Sequence, residues 1–252
     1  AYRQKPSIYH GENALHIAIV TKKQELALKL LKDSSERERI QMMEACATGP
    51  FFVPDKTPGR DDLFCAACSD QHLYYGELPL SFAVSTGQTE MWDNLLLHQC
   101  GALSNRKSDK VELARRQMEV IALTDSYLGH NVLHMCVIHR KMEMYEHIER
   151  WCQAADEKWR RERLGRMEAM NPRMPFDSFA IMFTRLLKGR NKEHQTPLLL
   201  AARLGHKDVV EKIVERNTTL LWEYGAIKCS KVPLALIDPK QECTEEEEDQ
   251  VK

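Results

Sequence analysis

Four short segments of the chain share one order of apolar and polar positions. Each has a residue that can open a helix, then apolar side chains, and each ends in alanine or cysteine. The segments are Asn13-Ala14-Leu15-His16-Ile17-Ala18, Leu78-Pro79-Leu80-Ser81-Phe82-Ala83, Asn131-Val132-Leu133-His134-Met135-Cys136 and Thr196-Pro197-Leu198-Leu199-Leu200-Ala201. After each segment, apolar residues recur at three- and four-residue spacing, which predicts a second, amphipathic helix. The chain is therefore predicted to contain four helix pairs.

The four openings differ in how well they can start a helix. Thr196 can cap a helix that begins at Pro197, because its hydroxyl can accept a bond from a free backbone N–H and proline has no N–H to leave unpaired. Asn13 and Asn131 can cap in the same way. Leu78 has no side-chain acceptor, so the second opening is predicted to lack a side-chain cap.

The repeated segments follow the T-P-L-H-x-A opening of ankyrin repeats. His16 and His134 stand at the histidine position of that motif, where hydrogen bonding between turns is favoured over catalysis. Ankyrin repeats stack and bind other proteins through their surface, and they bring no chemistry of their own. The predicted fold class is an all-α ankyrin repeat solenoid of stacked helix-turn-helix units with long finger-loop insertions.

The spacing of the openings predicts a single ankyrin repeat domain over residues 1–238. Repeats open near 12, 77, 130 and 195, and a partial repeat is predicted from 220. The openings lie farther apart than the roughly 33 residues of an ankyrin unit, which places insertions at about 32–77, 101–124 and 155–190. The last of these fits either a degenerate repeat or an inserted helical pair. Residues 239–252 form an acidic tail or linker, and we expect the chain to belong to a larger protein.

The first insertion has loop composition and several aromatic residues. A soluble monomer tends to avoid large exposed apolar patches. We therefore predict that the aromatic residues of this finger contact a partner, in the first place a neighbouring subunit. They are Phe51, Phe52, Phe64, Tyr74 and Tyr75.

The same insertion contains the only paired cysteine spacing that suggests a metal. Cys65, Cys68 and His72 follow a C-x2-C-x3-H pattern, which can supply three zinc ligands. A fourth ligand is missing nearby, so ordinary loop thiols are the favoured interpretation. We predict no metal and no cofactor.

A basic segment lies in the third insertion. Five of its residues suit binding to calmodulin or to an anionic membrane face, namely Lys158, Trp159, Arg160, Arg161 and Arg163. The alternative is the solvated outer face of a long helix, and this alternative is favoured.

Composition and sequence motifs argue against several functional classes. The 252 residues carry a net charge of −1, so no general basic field attracts nucleic acid. The sequence has no apolar run of about 18 residues that predicts a membrane span. Eight cysteines in a chain of this length do not make a dense secreted framework, which favours a reducing cytosol. None of the common catalytic motifs is present, and we predict that the protein is not an enzyme.

Several segments are more specific than a generic ankyrin repeat. They are 9–19, 75–83, 125–134 and 191–198, which resemble, in order, the second to fifth repeats of vanilloid-type transient receptor potential (TRPV) channels. Residues 221–227, followed by 233–238, are similar to the start of the sixth repeat of that family. The Tyr-His-Gly-Glu-Asn opening at 9–13 resembles the invertebrate sensory branch that includes nanchung and inactive.

The resemblance implies the cytosolic N-terminal domain of a tetrameric, calcium-permeable cation channel in the plasma membrane, with a role in sensory transduction. Its partners would be other subunits, in a homo- or heterotetramer, and calmodulin. Some family members bind a nucleotide here, and Tyr9 and Glu12 stand at matching positions, whereas Val20 and Thr21 replace a charged pair. The alternative function is a soluble ankyrin repeat adaptor or scaffold protein.

Overall fold

The computed structural model describes residues 11–48, 76–98, 116–164 and 179–233, apart from the side chains of 156–164 and 179–181. These residues are mostly helical. In chain order the helices are α1 (Ala14–Val20), α2 (Gln24–Asp33), α3 (Glu36–Glu44), α4 (Pro79–Ser85), α5 (Thr89–His98), α6 (116–122), α7 (Val132–Ile138), α8 (Met142–Leu164), α9 (Phe179–Lys188), α10 (Pro197–Arg203) and α11 (Lys207–Asn217). Two strands follow, β1 (Thr219–Tyr224) and β2 (Ile227–Lys231).

The helices pack as four pairs in a row. The pairs are α1 with α2, α4 with α5, α7 with α8, and α10 with α11. The first helix of each pair also contacts the first helix of the next pair, from α1 through α4 and α7 to α10. Leu15, Trp92, Tyr145 and Leu200 are fully buried between them. The four predicted helix pairs are therefore confirmed, and we refer to α1–α11 as the helical body.

The helix starts behave as their sequences predict. The Asn13 side chain accepts the His16 backbone N–H at 2.8 Å, and Asn131 does the same for Leu133 at 3.0 Å. The Thr196 hydroxyl accepts a backbone N–H at the start of α10. Leu78 offers no side-chain bond, so α4 begins without a side-chain cap.

The turns inside the helix pairs need a left-handed residue. Gly87 and Gly205 supply it, with φ of 71° and 70°. In the first and third pairs the same conformation falls on Lys22 and Arg140, with φ of 57° and 52°. A residue with a Cβ pays a steric penalty there, so these two turns are more strained than the glycine turns.

Each predicted insertion contains at least one helix in its described part. Ser35 caps α3 in the first insertion, α6 lies in the second, and α8 continues to Leu164 in the third. Helix α9 packs on α8, where the rings of Tyr145 and Phe183 meet edge to face at 5.7 Å. None of the helices in the described residues has the length and apolar character to cross a membrane. The remaining parts of the insertions and the tail at 239–252 lie outside the described residues.

The all-α prediction is wrong at the C-terminal end of the described chain. A partial repeat was predicted from 220, but the structure has an antiparallel hairpin in which Tyr224 pairs with Ile227 and Thr219 with Lys231. Gly225, with φ of 60°, stands in the two-residue turn that such hairpins favour. Bulky apolar and aromatic residues dominate the first strand, which suits extended backbone. We refer to β1, β2 and their turn as the hairpin.

Candidate functional site

The hairpin exposes an unusual amount of apolar surface. Five of its large apolar side chains are more than half exposed: Leu220 (51%), Leu221 (58%), Trp222 (53%), Tyr224 (82%) and Ile227 (63%). The other large apolar side chains that are exposed in the described residues reach at most 44%. Contiguous exposed apolar surface marks interaction sites in soluble proteins. The hairpin is therefore the candidate functional site.

Neither face of the hairpin is covered by the helical body. Every residue of β1 is exposed, and in β2 Cys229 alone is half-buried. Across the two strands, Lys228 and Glu223 form an ion pair with an N···O distance of 3.0 Å. An isolated two-stranded hairpin is marginally stable in water. A partner that covers one face would supply the burial that the hairpin lacks on its own.

Helix α11 holds the hairpin in position. Thr218 is the one residue between α11 and β1, and it donates its backbone N–H to Glu215 at 3.1 Å and its hydroxyl to the Val214 carbonyl at 2.7 Å. Within α11, Arg216 donates to the Glu149 carboxylate of α8 at 2.7 Å. The point at which the hairpin leaves the helical body is thus fixed by α11.

The two motif histidines have structural roles. His134 is buried, its Nε2 lies 2.9 Å from the Gln195 carbonyl, and burial lowers its pKa to about 3. This contact confirms hydrogen bonding between turns. At His16 the Glu77 backbone takes the place of Gln195, but His16 Nε2 has no partner within hydrogen-bond geometry, and burial lowers its pKa to about 4. Its ring packs edge to face on Phe82 at 5.0 Å.

Most of the site residues predicted from sequence lie outside the described residues. They are Phe51, Phe52, Phe64, Tyr74 and Tyr75 of the first finger, Tyr9, the Cys65, Cys68 and His72 group, and the side chains of Lys158, Trp159, Arg160, Arg161 and Arg163. Helix α8 does cover the backbone of this basic segment. Glu12 is described: it is half-buried, and burial raises the pKa of its carboxyl. The predictions for all these residues stay predictions.

The apolar hairpin was not predicted from sequence as a site. A signal is nevertheless present, because Leu220, Trp222 and Tyr224 alternate with other residues just before Gly225. Alternation next to a glycine turn is typical of a hairpin. The similarity of this run to the start of a further repeat favoured a helical interpretation instead.

Comparison with known proteins gives two kinds of match. Residues 193–222 match the ankyrin repeat family model, which covers α10, α11 and the start of β1. Over 244 residues, or 92% of the chain, the sequence is 28% identical to "Transient receptor potential cation channel subfamily V member 1" of Canis lupus familiaris. The proteins of the same name from Cavia porcellus and Oryctolagus cuniculus are each 37% identical over 82 residues, or 32% of the chain.

The aligned region is a small part of these relatives. It covers 23% of the dog protein and 8% of the guinea pig protein. None of the three relatives comes from an invertebrate, so the nanchung and inactive branch stays a prediction. Together the matches and the helix pairs support an ankyrin repeat domain of the type found in TRPV channels.

Proposed function

We propose that this chain is the cytosolic ankyrin repeat domain of a TRPV-like, calcium-permeable cation channel, and that it assembles and regulates the channel through protein–protein contacts. The helix pairs would form an ankyrin solenoid at the cytosolic face of the plasma membrane. The whole protein would be a homo- or heterotetramer. Similarity to the dog channel protein over 92% of the chain supports this proposal.

The observation that carries the assembly function is the exposed apolar hairpin. Trp222 and Tyr224 are aromatic residues, and aromatic residues dominate the binding energy of many protein interfaces. Their strand also has a free backbone edge, because the described sheet has two strands. A neighbouring subunit can cover the apolar side chains and pair with such an edge.

Two further surfaces belong to the proposal. The aromatic finger residues Phe51, Phe52 and Phe64 would contact the same neighbouring subunit. The basic segment around Trp159 is the candidate for regulation by calmodulin or anionic lipid. We favour the alternative in which this segment is an ordinary face of a long helix without a regulatory role, and on that alternative calmodulin binding to the chain will be negligible.

The coding sequence downstream of Lys252 distinguishes a channel from a soluble adaptor. A TRPV-like channel requires six hydrophobic segments, each about 20 residues long, downstream of Lys252. A soluble adaptor has none. The absence of such segments from the complete coding sequence would overturn the channel proposal.

The assembly function is tested with the full-length protein in two tagged forms. When both forms are expressed in one cell, each should co-purify with the other from detergent extracts. We expect the double variant Trp222→Ser/Tyr224→Ser to reduce co-purification severalfold. Leu97→Ser is the matched control, because Leu97 is an exposed apolar residue outside the hairpin. Unchanged co-purification of the double variant would show that the hairpin does not mediate assembly.

A further inference from the structure

Three ionisable side chains meet inside the helical body, away from the hairpin. Glu77 is 0% exposed, Asp125 is 3% exposed and His130 is 1% exposed. Each offers one ligand atom, and these atoms all lie within 4.8 Å of one another. His130 Nδ1 and Asp125 Oδ2 lie 3.7 Å apart. The chain therefore buries two carboxyl groups and an imidazole in one place.

The repeated architecture brings these side chains together. Glu77 and His130 each stand directly before the N-cap residue of a first helix, Glu77 before α4 and His130 before α7. Since α4 and α7 are neighbours in the row, residues at this equivalent place face each other across two adjacent turns. The backbone joins the same two turns, because the Ser126 N–H donates to the Gly76 carbonyl at 3.3 Å. The cluster is therefore held in place without any ligand.

Backbone groups hold the Asp125 carboxyl group in place. Its Oδ1 accepts the N–H of Tyr127 at 2.7 Å and the N–H of Leu128 at 2.5 Å, and its Oδ2 accepts the N–H of His130. Asp125 also closes its own turn, because its N–H donates to the His130 carbonyl at 2.9 Å. The Asp125 carboxyl group is thus held at a fixed position in the site.

The side chains of Glu77 and His130 lack hydrogen bonds. Both carboxyl oxygens of Glu77 and both ring nitrogens of His130 are buried and have no partner within hydrogen-bond geometry. Burial and the neighbouring Asp125 raise the pKa of the Glu77 carboxyl well above its usual range, and the Ser81 hydroxyl and the Leu78 amide offset this shift only in part. A buried polar atom without a partner costs about 1–3 kcal/mol, and a buried charge costs more. The unpaired atoms of both residues belong to the cluster, where they can reach a shared cation.

The donor set identifies the class of cation. Imidazole nitrogen with carboxylate oxygen is typical of zinc, whereas calcium and magnesium prefer oxygen ligands in larger number. Ligands of a tetrahedral zinc ion lie about 3.4 Å apart, from metal–ligand distances of about 2.0–2.1 Å. His130 Nδ1 and Asp125 Oδ2, 3.7 Å apart, are close to that spacing, and the ligand atom of Glu77 lies within 4.8 Å of those of the other two residues. His134 stacks on His130 but is not available as a ligand, because Asn131 and Gln195 occupy both of its ring nitrogens.

We propose that Glu77, Asp125 and His130 bind one zinc ion, which clamps the turn before α4 to the turn before α7. The positive charge of the ion compensates the two carboxylates, and the ion takes up one unpaired atom of Glu77 and one of His130. A water molecule or a small anion would complete the tetrahedron. The alternative occupant is a proton on Glu77, which neutralises one carboxylate without joining the imidazole.

The test uses the 252-residue chain stripped of metal with a chelator and then incubated with zinc chloride. We expect one zinc ion per chain by elemental analysis after gel filtration, together with a higher melting temperature. The Glu77→Gln variant keeps the side-chain shape but removes the charge, and it should lose the bound zinc and the increase in melting temperature. Cobalt in place of zinc should give the visible spectrum of a tetrahedral site without a thiolate charge-transfer band.

The matched control removes the other candidate zinc ligands. The Cys65→Ser/Cys68→Ser variant should still bind one zinc ion, and this result does not depend on the folding of Glu77→Gln. Three outcomes would overturn the proposal. They are no zinc bound to the wild-type chain, zinc lost in the cysteine variant, and zinc retained by folded Glu77→Gln. If the wild-type chain binds no zinc and Glu77→Gln is at least as stable as the wild-type chain, then a proton on Glu77 is the occupant.

Discussion

The helical body and the hairpin differ in how far their large apolar side chains are buried. In the helical body Trp92 and Leu198 are buried between helices, whereas in the hairpin Trp222 and Leu221 are more than half exposed. Burial of an apolar side chain stabilises the fold by about 1.5–3 kcal/mol, and an exposed side chain contributes little of this. Substitutions in the two regions should therefore separate folding from partner binding.

The largest effect is expected for a charge placed inside the helical body. Leu198→Asp buries an unpaired carboxylate on the inner side of α10, and we expect a loss of at least about 3 kcal/mol in the free energy of unfolding. Urea denaturation followed by far-UV circular dichroism measures this loss. Leu221→Asp is the control in the hairpin and should change the free energy of unfolding by less than about 0.5 kcal/mol. Similar losses of unfolding free energy for the two variants would show that the hairpin residue supports the fold as much as the buried residue does.

A smaller effect is expected for Asn131→Ala. The Asn131 side chain caps α7, and it also donates to the Leu186 carbonyl at 2.8 Å, which joins α7 to α9. Loss of a cap costs about 1 kcal/mol, and an unsatisfied buried carbonyl adds about 1–3 kcal/mol. We expect a loss of about 2–3 kcal/mol by chemical denaturation. Asn13→Ala, at a half-buried cap of the same kind, should cost less, and the reverse order would contradict this explanation.

Thr196→Ala should cost less again. The Thr196 hydroxyl accepts the Leu199 backbone N–H at the start of α10, at 3.3 Å. Its removal should lower the free energy of unfolding by about 1 kcal/mol. Thr196→Ser keeps the hydroxyl and should retain most of that stability. Equal denaturation midpoints for Thr196→Ala and Leu198→Asp would mean that α10 does not begin at Pro197.

The smallest effect on stability is expected for Trp222→Ser. The ring is 53% exposed, so its removal should change the free energy of unfolding by less than about 0.5 kcal/mol. Binding to a partner should weaken by tenfold or more, since large aromatic residues are common hot spots. Analytical ultracentrifugation of the full-length protein in detergent measures the association. A folding defect of several kcal/mol would show that the ring supports the helical body instead.

The sequence predicted the helical body well because its signals are local. Thr196, Pro197 and the flanking apolar residues specify a helix start within a few positions of one another. The hairpin was missed because its apolar run is short, and short apolar runs do not separate strand from helix by periodicity. The Glu77, Asp125 and His130 cluster gives no sequence signal at all. Its members come from different repeats, and their meeting follows from how the turns of neighbouring pairs align.

The short joint at Thr218 has a mechanical consequence. A single residue separates α11 from β1, and two hydrogen bonds from that residue hold it to the end of the helix. A force applied to the hairpin therefore acts directly on α11, because the one-residue linker cannot extend to absorb it. Val209 and Ile213 anchor α11 in the core, and Arg216 ties it to α8. A load on the hairpin would thus act as a torque on the two helix pairs nearest to it, α10 with α11 and α7 with α8.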